Sequence, residues 1–153
     1  ADRMFETKTK FSKKATEEMQ TICEAVKEIL DLAVDAFQNV DRRAAASIAP
    51  LEEVVDEMEQ LLKDKHIDRL RRGKCTVDAA FPYVEALSNI ERIADLCSNV
   101  GESVLTYDSR MEEIDRHEYK RLHGDQHDSG YQAQYAAFTA KYYGRLKKKA
   151  VSE

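Results

Sequence analysis

The chain has 153 residues, within the roughly 100–200 residues of one domain, and its formal net charge of −5 at pH 7 disfavours nonspecific nucleic-acid binding as the main task. Its three cysteines, Cys23, Cys75 and Cys97, form no CxxC pair and no zinc spacing, which points to a reduced, cytosolic setting. No apolar run approaches the roughly 20 residues that cross a bilayer, and no signal peptide is present.

Five glycines, two prolines and abundant Ala, Glu, Lys, Leu and Arg favour long helices with short connections. The first helix is predicted from about Ser12 to Asn39. Met19, Ile22, Cys23, Val26, Ile29, Leu30, Ala33 and Phe37 recur at spacings of three and four and form its core-facing stripe. Asn39-Val40-Asp41 reads as a turn, with Asp41 as the next N-cap. A second helix starts near Arg42, with a kink or restart expected at Pro50. Leu51, Val54, Val55, Met58, Leu61 and Leu62 are its buried side, and Glu52, Asp56 and Glu59 fall on the flank of that arc. Gly73 closes it.

A third helix is predicted from Val77 or Asp78 to about Leu122, with Val84, Leu87, Ile90, Ile93, Ala94, Cys97, Val100 and Val104 on its apolar arc. The segment from His123 to Gly130 is a loop by composition. A last helix, near Tyr131 to Lys149, carries Tyr131, Tyr135, Phe138, Tyr142 and Leu146 on one side and a basic end. The expected architecture is all-α: an antiparallel bundle of three to four helices. We read residues 1–153 as a single domain, with a core repeat over about 14–105 and a helical extension over about 106–150.

Two acidic pairs stand out: Glu52-x-x-x-Asp56 and Glu91-x-x-x-Asp95, the second continuing as Asn99 and Glu102. Residues four apart stack on one helix face, so each pair sets two like charges together at a cost of roughly 0.2–0.5 kcal/mol. Carboxylate oxygens are hard ligands for magnesium, calcium, manganese or iron. Two facing helices could bring Glu52, Asp56, Glu91 and Asp95 to one groove, with Asn99 and Glu102 widening it for more than one ion. The competing reading is a solvated acidic flank neutralised by Arg92 or Lys63.

Other chemistries fit less well. A di-iron bundle needs Glu-x-x-His, and the residues three before His66, His117, His123 and His127 are Lys63, Ile114, Lys120 and Gly124. No phosphate-cradling glycine loop and no nucleophile–base set is legible. Cys97 reads as core, His66 as a packed or capping residue, and the aromatics of the last helix as core. The tail of Lys141, Arg145, Lys147, Lys148 and Lys149 either complements a helix C-terminus or meets anionic lipid heads.

Glu91-Arg92-Ile93-Ala94-Asp95, followed by Asn99 and Glu102, resembles the signature helix of the PhoU family of phosphate-uptake regulators. The resemblance extends back through Glu52-x-x-x-Asp56 and Asp41, covering about Lys14 to Leu105. His66-Ile67-x-Arg69-Leu70-x-x-Gly73-x-Cys75 is similar to PhoU-like domains at the cytoplasmic C-terminus of bacterial sodium/phosphate cotransporters. The resemblance implies an all-helical, non-enzymatic regulator of phosphate uptake. It also implies iron, zinc, magnesium or a similar metal at Glu52, Asp56, Glu91, Asp95, Asn99 and Glu102. Free-standing relatives have two repeats and this chain shows one, which implies a fused domain or a homodimer that rebuilds the pair. Ala94 stands where many relatives have Gly.

The first functional expectation is therefore a regulatory module on the cytoplasmic face of the cell membrane, attached to the transmembrane part of a sodium/phosphate transporter. The second is a stand-alone metal-binding adaptor for phosphate-signalling proteins. A carboxylate-bridged metalloenzyme ranks last. The opening Ala-Asp-Arg-Met fits either a processed chain or a soluble piece of a longer one.

Overall fold

A computed structural model describes residues 11–107 and 129–148. Three long helices come first: α1 (Lys13–Asn39), α2 (Arg42–Arg71) and α3 (Val77–Tyr107). Helix α4 (Ser129–Phe138) continues through a π-helical turn (Thr139–Tyr143) into the short α5 (Gly144–Lys148). No strand occurs among the described residues, and the expected all-α bundle is what forms.

Local chemistry sets the helix ends. Ser12 Oγ accepts from the Ala15 amide at 3.1 Å and caps α1. Asp41 Oδ1 accepts from the Arg43 and Ala44 amides at 2.8 and 3.1 Å and caps α2. Between them Val40 takes a left-handed conformation at φ 51°, unusual for a β-branched residue, and the Asp41 amide donates to the Ala36 carbonyl. Gly73 ends α2 at φ 67°, where the Gly73 and Lys74 amides return to the Leu70 and Arg69 carbonyls.

Short turns make α1, α2 and α3 successively antiparallel. The start of α1 meets the end of α2, where Arg69 Nη1 donates to Glu18 Oε2 at 2.7 Å. The end of α3 meets the start of α2, where the α-carbon of Gly101 lies against Ile48 and the Ala45 carbonyl. Helix α4 runs alongside α2, with Tyr131 hydrogen-bonded to Glu53 and Tyr135 to Glu57. Farther on, Lys141 and Tyr142 reach Glu28 of α1, and Arg145 reaches Glu24.

The core joins Ile22, Val26 and Ile29 of α1 to Leu51, Val54, Val55, Met58 and Leu62 of α2. Leu87, Ala94, Cys97 and Val104 of α3 complete it, and Tyr142 and Leu146 close its open side. Burying each large apolar side chain contributes about 1.5–3 kcal/mol, so this contiguous cluster holds the helices together.

Several expectations need correction. Cys23, Leu30 and Phe37 do not face the core; Phe37 is 72% exposed, because the apolar arc of α1 is wider than the surface α2 and α3 can cover. Ile93 of α3 is likewise exposed. Helix α2 passes through the buried Pro50 without a restart, held by packing on both sides of it. Ser129 and Gly130 begin α4 and are not loop. The predicted extension of the third helix to Leu122 lies outside the described residues, as do His117, His123 and His127.

Candidate functional site: an acidic groove between helices

Helical spacing puts Glu52 and Asp56 on one flank of α2, and Glu91 and Asp95 on one flank of α3. The antiparallel register brings the two flanks to the same height. Burial pushes the Glu52 carboxyl above its usual range, and Asp56, Asp95, Glu91 and Glu53 push it further in the same direction. Four carboxylates from two helices therefore act on one half-buried acid. Glu91 is also half-buried, whereas Asp56 and Asp95 are exposed at the mouth. Helix α4 borders the groove through Tyr131, whose hydroxyl pKa is raised by burial, by its bond to Glu53 and by the charge of Glu52.

Among the described residues, none of Glu52, Asp56, Glu91 or Asp95 makes an ion pair. Lys63, one expected neutraliser, is turned to the buried Glu59 instead. Gln60 Nε2 also donates to Glu59 at 3.0 Å, so Glu59 is satisfied away from the groove. The acidic cluster thus keeps its mutual repulsion, which a cation bound among hard oxygen ligands would relieve. Its donor chemistry fits such an ion. Among the described residues, no group of three or more His, Cys, Asp or Glu side chains stands close enough together to hold a metal ion.

The outer two candidates lie elsewhere. Asn99 and Glu102 are exposed, one and two turns farther along α3, at the height of Ala45 and Ile48. Their backbone carbonyls accept from Ser103 and Thr106 hydroxyls at 2.9 Å each. Neither is among the main causes of the shift at Glu52.

A second polar cluster, at the end where α1 begins, was not anticipated. Glu18 is 2% exposed and is clamped by Arg69 and, at 3.3 Å, by Lys65 Nζ. Beside it His66 is buried and stacked on Tyr83. Arg69 Nη2 donates to His66 Nδ1 at 3.3 Å, which leaves Nε2 carrying the proton toward Cys75 Sγ at 3.6 Å. An imidazole held this way is no base for that thiol, so the pair is structural. The signal for Glu18 was present: it sits on the apolar stripe, three residues after Ala15 and four before Ile22.

On the opposite flank, Leu30, Val34 and Phe37 of α1 and Ile93 and Leu96 of α3 line an apolar groove of about 500 Å³. No helix among the described residues is long and apolar enough to cross a membrane.

Comparison with known proteins gives these helices a family. The phosphate-specific transport system accessory protein PhoU homolog 1 of Thermotoga maritima is 24% identical over 102 residues, 67% of this chain and 44% of that protein. The chain thus spans less than half the length of that relative. No solved structure matches. Residues 19–104, which hold both acidic pairs and the three helices that carry the core, match the PhoU domain, and the chain belongs to the PhoU family.

Proposed function

We propose that this chain is a non-enzymatic regulatory domain of phosphate transport whose acidic groove binds a metal ion. The observation that carries the family part is the match of residues 19–104 to the PhoU domain, which covers all of α2 and most of α1 and α3. The relative's name, an accessory protein of phosphate-specific transport, supports the phosphate connection. The metal reading is supported by the convergence of Asp56, Glu91 and Asp95 on Glu52. Glu52, Asp56, Glu91 and Asp95 would hold the ion, with Asn99 and Glu102 serving a second one farther along α3. The ion would supply charge neutralisation that fixes α2 against α3, and so makes the spacing of the two helices sensitive to occupancy.

Elemental analysis of protein purified without chelator tests this reading. Iron, zinc or magnesium should be retained by the wild type and lost from Glu91→Gln/Asp95→Asn. Equal metal content in both would remove these two side chains from the site.

We place the domain at the cytoplasmic face of the membrane, joined to the transmembrane part of a sodium/phosphate cotransporter. The similarity of His66 to Cys75 to domains in that setting supports this placement. A stand-alone adaptor acting on phosphate-signalling proteins is the second reading. Hydrophobic spans encoded upstream in the same reading frame favour the first, and a start codon just ahead of Ala1 favours the second. In either setting the apolar groove of α1 and α3 is where a second bundle docks, from a second copy of this chain or a second repeat. The length of the relative beyond the matched region is enough for one more bundle.

A further inference from the structure

Helix α4 and the π-helical turn lie along α2 without closing on it. Between them runs an open groove of about 990 Å³, at the upper end of the roughly 300–1,000 Å³ of small-molecule pockets. We propose that this groove docks a lysine- and arginine-rich amphipathic segment, from a cytoplasmic loop of the membrane-spanning partner.

The wall comes first. Leu61, Ala136, Ala140 and the rings of Tyr135 and Tyr143 make it mostly apolar, which suits the apolar side of an amphipathic helix. Part of that wall is the π-helical turn, a rare element found mostly at functional sites.

The rim fixes the sign of the occupant. Asp56, Glu57 and Asp64 border the groove from α2, against one cation, Lys147. Asp56 and Asp64 are exposed and make no ion pair among the described residues. They are eight residues apart on one helix face, which sets the two charges about 12 Å from each other. Basic residues eight apart on a docked helix repeat that interval. Glu57, which accepts from Tyr135, ties the two walls together. The groove also displays the contact an incoming cation would make: the exposed Lys147 ammonium lies 4.8 Å from the centre of the Tyr143 ring. By contrast, no charged residue lines the apolar groove of α1 and α3, so the two grooves suit different partners.

Cytoplasmic loops of membrane proteins carry an excess of lysine and arginine, which is the chemistry this rim selects. The source of the segment thus rests on the placement of the domain at a transporter's cytoplasmic face; the groove itself does not.

Fluorescence anisotropy with a labelled amphipathic peptide of leucine and lysine tests the groove. The measurement is made at about 0.15 M salt, which screens distant charge, and with chelator, because Asp56 also borders the groove of α2 and α3. The wild type should bind this peptide and not its leucine–glutamate counterpart. Ala136→Arg/Ala140→Arg, at two exposed wall positions, should bind about tenfold more weakly or worse. Glu91→Gln/Asp95→Asn makes the chain more positive by the same amount outside this groove and should bind as the wild type does. Asp64→Asn, an isosteric change, should weaken binding about twofold or more, and it serves if the arginines displace α4. No binding of the lysine peptide, equal binding of both peptides, or an equal loss in the two double variants overturns the proposal. Absence of hydrophobic spans from the reading frame instead overturns the transporter loop as the source and leaves the peptide result unchanged.

Discussion

His66 and Tyr83 lie ring on ring, centroids 4.3 Å apart and planes inclined by 22°, at the buried contact between the end of α2 and the start of α3. The stack joins two helices across a loop, and Arg69 sits over the same tyrosine at 5.6 Å. Burial and the Arg69 charge hold the His66 imidazole below its ordinary value of 6.5. The Tyr83 hydroxyl, buried and near Glu18, is pushed up to about 12. A base whose folded pKa is depressed supports the fold fully above its unfolded value, where both states are neutral. Below 6.5 the unfolded chain binds the proton first, so that support falls as pH drops toward the lowered folded value. Thermal unfolding between pH 7.5 and pH 5 should therefore show falling stability, and His66→Phe, which keeps a ring on Tyr83, should flatten the slope.

Glu52 should act with the opposite sign. Its folded pKa is raised, so its contribution is present below the unfolded value and is lost as pH rises through the folded one. In metal-free protein, Glu52→Gln removes the repulsion and should raise stability near neutral pH by a few tenths of a kcal/mol. With saturating metal the order should reverse, because the wild type gains the ion's binding energy. Melting curves of both proteins, with chelator and with added metal, read this out.

Glu18 is the most sensitive buried charge. Glu18→Ala leaves Lys65 and Arg69 facing one another, 19% and 13% exposed, without their shared carboxylate. A loss of about 3 kcal/mol is expected in urea unfolding, the low end for broken buried pairs, since both cations keep some solvent.

Gly101 is required by close approach. A Cβ there would stand 2.9 Å from Ile48 Cδ1 and 3.2 Å from the Ala45 carbonyl. The isoleucine tip can move, but the carbonyl belongs to the α2 backbone. Gly101→Leu should cost about 1–3 kcal/mol despite the better helix propensity of leucine.

Val40 shows the reverse case, a side chain where glycine fits better. At φ 51° its Cβ crowds the backbone, a strain of roughly 1–2 kcal/mol, and the side chain is half exposed. Val40→Gly should raise the melting temperature, the relief outweighing the added flexibility of the unfolded chain.

Most of the fold was legible in the chain itself. Apolar residues at spacings of three and four located the first two helices, the start of the third and the last, and Ser12, Asp41 and Gly73 marked ends, because capping chemistry acts within a few residues. Both acidic pairs were visible for the same reason: one helix turn fixes which side chains share a face. Periodicity does not say how much of an apolar arc a neighbour will cover. Leu30 and Phe37 therefore followed the same pattern as Ile29 and Ala33 yet ended up exposed. Nor does it give the height at which helices meet. That register, set by the lengths of two turns and by packing such as Gly101 on Ile48, placed Glu91 and Asp95 opposite Glu52 and left Asn99 and Glu102 higher up. The same register brought Lys14 of the first helix to Arg69 and Arg72 of the second, 55 and 58 residues distant in sequence, and so created a basic cavity that no local motif announces.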